Sequence, residues 1–124
     1  MPQIARDEER EERIRMEIIV DAYGPDKQAT AWYVYLQEQL QFPVLTHCIA
    51  ERAISPLQIG DEVEIIDMAP EAECEHEMFV MMRWERRGLA VPLSQLEVFG
   101  GIDEQTQQAI EDWHYWVKRG YRFS

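Results

Sequence analysis

The sequence predicts an α+β fold: two helices, then a small SH3-like antiparallel β-barrel, then a C-terminal helix that closes it. Apolar residues recur at helical spacing in residues 29–40 and again in residues 106–117. Between these segments, from residue 44 onward, the pattern changes to an alternation of period two. Turn signals divide this middle region into about five short strands, the number and spacing typical of a small barrel.

The N-terminal segment predicts a helix with a charged beginning. Arginine alternates with aspartate and glutamate over residues 6–13, and an apolar face starts only at Ile14. We therefore expect residues 1–12 to fray or to form an extended, projecting helix. Gly24 and Pro25 interrupt the pattern and start a second helix, because proline is favoured in the first turn.

The second helix has the clearest amphipathic pattern of the chain. Its apolar stripe consists of Ala29, Trp32, Tyr33, Leu36 and Leu40. Phe42 and Pro43 then end the helix. Glu38 lies off the stripe, so the sequence leaves its carboxylate available to solvent or to an ion.

Period-two alternation and turn residues predict the strands. In the first, Val44 and Cys48 share one face and His47 lies on the other. A turn at Gly60 leads to the second, with Glu62 and Glu64 outward. The predicted strands are residues 44–53, 62–66, 78–86, 89–91 and 97–99, with one helical turn within residues 92–97.

The final helix is predicted to begin after Asp103, a favoured N-cap residue, and to end at Gly120. Its expected inner stripe consists of Thr106, Ala109, Ile110, Trp113 and Val117. The 124 residues suit one domain spanning residues 1–124. A hydrophobic content of 46% is that of a folding chain rather than of a disordered acidic one.

The charge of the chain favours a cation as its ligand. Twenty-four acidic and twelve basic residues give a formal net charge of −12. This excess argues against nucleic acid or an anionic membrane as partner. Residues 53–82 contain no lysine or arginine, and eight carboxylates fall inside this window: Asp61, Glu62, Glu64, Asp67, Glu71, Glu73, Glu75 and Glu77.

Neither a membrane span nor a signal peptide is indicated by the sequence. No apolar run approaches the length that a spanning helix needs, and the N-terminus is charged where a signal peptide would be apolar. A cytoplasmic location is therefore expected. In a reducing compartment, Cys48 and Cys74 are expected to be free thiols or metal ligands rather than a disulfide.

Residues 71–77, with the sequence EAECEHE, place a glutamate at every second position. In an extended strand these glutamates would point to one side, about 7 Å apart, and neighbouring pairs could converge on one ion. Calcium accepts 6–8 oxygens in irregular geometry, so an acidic loop can bind it without a dedicated motif. The alternative is an acidic loop that is simply solvated. The sequence contains no EF-hand frame.

Zinc or redox chemistry is the competing interpretation of this region. His47, Cys48, Cys74 and His76 are possible tetrahedral ligands. Adjacent strand residues point to opposite faces, however, so His47 and Cys48 do not enter one site without a bulge. No Gly-rich phosphate loop or nucleophile elbow is present, and His114 between tryptophans suits packing, so we expect no enzyme activity.

Several long segments resemble the cyanobacterial calcium-binding protein family. They are EIIVDAY at 17–23, WYVYLQEQLQFP at 32–43, CIAERAISPLQIGDEVEI at 48–65, APEAECEHEMFV at 69–80, RGLAVPLSQLE at 87–97 and AIEDWHYWVKRGY at 109–121. The resemblance implies a cytoplasmic protein that sequesters calcium without EF-hands and influences calcium signalling. In the family the second helix usually ends Leu-Glu-Asp-x-Leu and contributes an acidic ligand; here the stretch reads LQEQL, with Glu38 at the aspartate position.

The leading hypothesis is therefore a protein that binds or buffers Ca²⁺ at a non-EF-hand acidic site. Its candidate ligands are Glu38, Asp61, Glu62, Glu71, Glu73, Glu75 and Glu77. Two alternatives remain open at this point. One is an SH3-like interaction module whose acidic face binds a basic protein partner, and the other is a zinc or redox protein that uses Cys48 and Cys74.

Overall fold

The computed structural model describes residues 5–99 and 103–123. Three α-helices and five strands follow the predicted order. They are α1 (Glu8–Arg13), α2 (Pro25–Gln39), β1 (Val44–Cys48), β2 (Glu62–Met68), β3 (Phe79–Trp84), β4 (Arg87–Pro92), β5 (Leu96–Val98) and α3 (Glu104–Lys118). A π-helical turn, Ile14–Ile18, continues α1, and single 3₁₀ turns lie at Glu71–Cys74 and Leu93–Gln95. The α+β fold class is confirmed.

The N-terminal helix packs on α3 through charged side chains. Asp7 caps α1 by accepting a hydrogen bond from the backbone N–H of Arg10. The guanidinium groups of Arg10 and Arg13 lie 2.9 and 2.6 Å from the same oxygen of Asp112, which is fully buried. Residues 1–12 were expected to fray or to form an extended helix. Residues 8–12 lie in a helix that two ion pairs fix to α3, and residues 1–4 lie outside the described residues.

The predicted stripe of α2 faces the core. Ala29, Trp32, Leu36 and Leu40 are buried, and Tyr33 is half-buried. Trp32 has no exposed surface, and its ring centroid lies 5.1 Å from that of Trp113 on α3. Edge-on aromatic contacts of this kind join the two long helices.

The predicted inner face of α3 is wrong at one position. Val117 is 37% exposed, whereas Trp116 is buried and contacts Trp32 and Phe123. The buried face also includes Asp112, because α3 packs against α1 as well as α2. A helix with two neighbours needs a wider buried face than a single stripe.

Asp103 is the N-cap of α3, as predicted, since its side chain accepts a hydrogen bond from the backbone N–H of Thr106.

The five strands form an antiparallel sheet of order β4-β3-β2-β1-β5. β4 and β5 are its two edges, about 19 Å apart if the sheet were flat. Only residues 93–95 connect them, and a chain of that length spans at most about 14 Å. The sheet is therefore strongly curled. In the described residues no ladder joins β4 to β5, so the expected closed barrel is not confirmed.

The helices α2 and α3 and the π-helical turn after α1 contribute to one hydrophobic cluster with the buried face of the sheet, whereas α1 buries no residue. Val44 and Cys48 of β1, Val63 and Ile65 of β2, and Val80 of β3 are buried, as period-two alternation predicts. None of the described helices has the length and apolar character needed to cross a membrane.

We expect Asp112→Asn to destabilise the fold by about 3 kcal/mol. This is the low end of the range for breaking a buried ion pair, because Arg10 and Arg13 keep some contact with water. The free energy of unfolding from urea titrations measures the effect, with Glu64→Gln as an exposed control. A loss below about 0.5 kcal/mol would contradict this role for Asp112.

Candidate metal centre

The acidic turn, residues 71–77, connects β2 to β3 and is not extended. Glu71–Cys74 forms a 3₁₀ turn and bends follow it, so the row of four glutamates that an extended strand would give does not form. The physical reason is Cys74, which is buried with Sγ 3.3 Å from the backbone nitrogen of Phe79. Turning this thiol into the core coils the chain and distributes the glutamates around the turn.

A cavity of about 660 Å³ lies between the acidic turn and the first turns of α2. Its carboxylates come from both sides: Asp26 from α2, and Glu71 and Glu75 from the acidic turn. The hydroxyl of Thr30 donates a 3.1 Å hydrogen bond to Glu71 across the cavity. The other lining residues are Pro25, Ala29, Ala72, Cys74, His76 and Phe123. We call this space the acidic cavity.

The acidic cavity is joined to the rest of the fold just before the acidic turn. The hydroxyl of Tyr33 on α2 donates a 2.7 Å hydrogen bond to the carbonyl of Ala69. Ala69 is fully buried and lies two residues before Glu71. This bond sets the spacing between α2 and the acidic turn, and therefore the width of the cavity.

The carboxylates of the acidic turn differ in their partners. Glu77 forms a 2.8 Å ion pair with Arg52, which lies one position outside the window that lacks basic residues. Glu71 accepts a hydrogen bond from the neutral Thr30 hydroxyl. Among the described residues, Glu71, Glu73 and Glu75 make no ion pair. Unneutralised charge is thus concentrated on the side that faces α2.

Glu38 lies outside the acidic cavity, on the opposite side of Thr30. It borders a second groove of about 380 Å³ between α2 and the segment that follows α1. Glu17 and Asp21 also line this groove, together with Lys27. Thr30 lines both spaces, so the two acidic regions are neighbours on one helix.

Asp61 and Glu62 are not brought near the acidic turn by strand β2. They lie at its beginning, and the acidic turn follows its end, about 20 Å away along the strand. One oxygen of Asp61 accepts a 2.8 Å hydrogen bond from the backbone N–H of Gln58, so it stabilises the turn before β2. Glu62 is exposed opposite His47.

The acidic cavity therefore includes two of the predicted ligands, Glu71 and Glu75, and two residues that the sequence analysis missed. Asp26 and Thr30 stand four positions apart, on one face of α2, and this spacing was the available signal. In the described part of the chain, no three histidine, cysteine, aspartate or glutamate side chains already converge as metal ligands. An ion would have to draw these exposed side chains together.

The two cysteines do not form a metal centre within the described residues. Both are buried free thiols, and Cys48 donates to the carbonyl of Ala50 at 3.0 Å. Burial raises the pKa of Cys74, and the neighbouring charges of Glu73, Glu71 and Glu77 raise it further. The zinc interpretation is not supported, because Cys48 and Cys74 are buried, His47 lies on the other side of β1 and His76 is exposed, so the four do not converge among the described residues.

His114 of α3 is part of the packing, as its aromatic neighbours indicate. One ring nitrogen makes a hydrogen-bond contact with the carbonyl of Leu96 on β5. Burial lowers the pKa of His114, against the opposing effect of the Leu96 carbonyl. The neutral imidazole is thus the form that the folded chain favours.

Comparisons with known proteins agree with the resemblance seen in the sequence. The family model Calci_bind_CcbP, described as calcium binding, matches residues 12–117. The chain is similar to the crystal structure of Anabaena CcbP, with 38% identity over 98% of each chain and a TM-score of 0.84. It is also similar to a structure described as a calcium binding protein in the calcium-binding form, with 37% identity. That match covers 99% of this chain and 100% of the other, with a TM-score of 0.84. No curated protein gives a significant match.

We expect both thiols to react slowly with a disulfide reagent such as 5,5′-dithiobis(2-nitrobenzoate) in the native state. The reaction should be about a hundredfold slower than in urea, because both sulfurs are buried and the pKa of Cys74 is raised. The variants Cys48→Ala and Cys74→Ala assign each rate to one residue. Fast native reaction, or stoichiometric zinc in the purified protein, would contradict this structural role.

The pH dependence of stability is expected to include a contribution from His114. Its folded pKa is lowered, so the unfolded chain binds the proton more readily, and stability falls as pH drops below about 6.5. His114→Gln, which can still donate to Leu96, should reduce the slope of unfolding free energy between pH 7 and 5.5. His76→Gln, at an exposed position, is the control. An unchanged slope in His114→Gln would exclude this contribution.

Proposed function

Since this chain belongs to the CcbP family of calcium-binding proteins, we propose that it binds Ca²⁺ in the acidic cavity. The observation that carries this proposal is the composition of the cavity. Asp26, Glu71 and Glu75 line it from two different elements, and its lining contains no lysine or arginine. A divalent cation is the natural counter-charge for such an arrangement.

Glu71 and Glu75 are the proposed principal ligands. They flank the buried Cys74 on the acidic turn, and the Thr30 hydroxyl orients the Glu71 carboxylate toward α2. Asp26 reaches the cavity from the first turn of α2. Backbone carbonyls and water complete the 6–8 oxygens that calcium requires.

Calcium suits this cavity better than magnesium or zinc. The carboxylates stand on separate elements and do not yet converge within the described residues. Calcium tolerates irregular geometry and variable ligand number, whereas magnesium demands a near-ideal octahedron and keeps its water. Zinc prefers nitrogen and sulfur, and the thiol of Cys74 is bonded to the backbone of Phe79.

Glu38 is proposed as a ligand of a second, weaker site. The groove beside it contains Glu17 and Asp21, but also Lys27, whose charge opposes that of an entering cation. Glu38 occupies the position at which the family pattern has an aspartate, and its longer side chain moves the carboxylate outward. Glu73 and Glu77 are proposed to add to the negative field, and Asp61 and Glu62 to lie outside both sites.

The proposed activity is that of a calcium buffer and not of an enzyme. The carboxylates around the cavity are exposed, so an ion can enter and leave without opening of the core. A cytoplasmic location is proposed because both cysteines are buried free thiols, as in reducing compartments. The single cluster of buried residues supports one domain over residues 1–124.

We further propose an SH3-like relationship for the sheet. Two features support it: the strong curl that the short connection between β4 and β5 requires, and the single 3₁₀ turn within that connection. The helices add to this sheet on its concave side, where the core lies.

Calcium is expected to raise the thermal unfolding midpoint of the wild-type chain. At a hundredfold excess over the dissociation constant the gain is about 2.7 kcal/mol. The double variant Glu71→Gln/Glu75→Gln should bind at least about tenfold more weakly, because two charged ligands are lost. Titration calorimetry and thermal melts in calcium, magnesium and chelator measure both effects.

The matched control is Glu62→Gln/Glu64→Gln, which removes the same charge from exposed positions of β2. It should bind calcium nearly as wild type does. Glu38→Gln should reduce only the weaker phase of the titration. An equal loss of calcium affinity in both double variants would show that the effect comes from net charge alone. A wild-type unfolding midpoint that calcium does not shift would refute the proposal.

A further inference from the structure

The hairpin between β3 and β4 carries an unusual concentration of positive charge. Residues 83–87 read RWERR, so three of the twelve basic residues of the chain lie within five positions. All five residues are exposed, and Trp84 retains 40% of its surface. We call this segment the arginine tip.

The arginines of the tip are not used in holding the fold together. Arg83, Arg86 and Arg87 make no ion pair with any described residue, whereas Arg10, Arg13 and Arg52 each pair with a carboxylate. Trp84 pairs with Arg87 across the hairpin, so these two residues lie on the same face at its end. Arginine and tryptophan are the residues most enriched at the energetic centres of protein interfaces.

Strand β3 separates the arginine tip from the acidic turn. The acidic turn leads into β3 at Phe79, and the tip begins at Arg83, near the end of β3 and about 14 Å farther along. The molecule thus has a positive projection at one end of this strand and a negative concavity at the other.

We propose that the arginine tip of one molecule docks into the acidic cavity of a second copy of this chain. The cavity offers three carboxylates, from Asp26, Glu71 and Glu75, and about 660 Å³ of space. Its apolar lining, which includes Phe123 and Ala29, suits the stems of arginine and the ring of tryptophan. The tip is a convex hairpin end, and its partner surface is concave.

The contact is heterologous, because two different surfaces meet. Repeated head to tail, it forms chains of molecules that grow with concentration unless the rotation between neighbours closes them into a ring. The net charge of −12 on each copy opposes the association, so it is expected to be weak and to depend on concentration.

Calcium binding is expected to dissociate these oligomers. This part of the inference rests on the proposed function, since an ion bound by Glu71 and Glu75 occupies the carboxylates that the arginines need. The self-association itself does not require calcium binding, so the two proposals can be tested separately.

The first experiment is sedimentation equilibrium of the full chain in chelator over a wide concentration range. Wild type should show growing oligomers, and Arg86→Glu/Arg87→Glu should weaken the association at least about tenfold. The control Arg15→Glu/Lys118→Glu makes the same charge change at exposed positions of the helical layer. A monomeric wild type, or an equal loss in control and tip variant, would overturn the proposal.

The second experiment uses complementary variants. Arg86→Glu/Arg87→Glu keeps the cavity and loses the tip, whereas Glu71→Lys/Glu75→Lys keeps the tip and loses the cavity. Each should be monomeric alone, and their mixture should form a dimer that grows no further. Circular dichroism confirms that both variants are folded, and a mixture that stays monomeric would overturn the proposal.

Two further measurements separate the remaining explanations. Binding of wild type to anionic vesicles of phosphatidylglycerol, without self-association, would assign the tip to a membrane surface and overturn the proposal. Calorimetry on the tip variant tests calcium binding by itself, because that variant retains the acidic cavity. Calcium binding there, together with loss of wild-type oligomers on calcium addition, supports the shared cavity. Oligomers that persist while calcium is bound would overturn it.

Discussion

Burial of Trp32 between α2 and α3 is the contact on which the candidate metal centre depends. Its ring lies within 5.9 Å of the rings of Trp113, Trp116 and Tyr35. This large apolar contact fixes the position of α2. The next residue, Tyr33, then bonds to the carbonyl that precedes the acidic turn. Two adjacent residues thus connect the helical core to the acidic cavity, and the cavity owes its shape to packing rather than to charge.

The acidic residues of the chain divide into two groups with different physical roles. Asp112 and Glu11 each lie in a network with arginine and tyrosine side chains. The hydroxyl of Tyr35 donates a hydrogen bond to Asp112, and burial raises the pKa of Tyr35 to about 12. These carboxylates join the N-terminal helix to α3. Glu71 and Glu75 face solvent without a cationic partner among the described residues. A bound cation would supply the counter-charge that these two carboxylates lack.

Local pattern predicted much of the fold, and long-range contacts account for what it missed. The stripe of α2 and the alternation of β1 and β2 follow from repeating spacing, which a sequence shows directly. The burial of the Asp112 side chain depends on Arg10, which is 102 positions away, and no local periodicity in the sequence indicates it. The alternating glutamates of the acidic turn would share one side only if the segment were extended, which it is not. The one buried residue in it, Cys74, overrides that alternation, since a thiol in the core outweighs the placement of solvated charges.

The same residue explains why the cysteine and histidine between the glutamates are not evidence for a soft metal. Cys74 is needed as a small, apolar anchor whose sulfur bonds the backbone of Phe79 and closes the turn. Replacement by alanine would remove both the sulfur volume and that bond. Because the anchor lies between Glu71 and Glu75, it also determines how far apart these two carboxylates can move. Cys74 thus contributes to the shape of the turn, whereas the exposed glutamates contribute its negative charge.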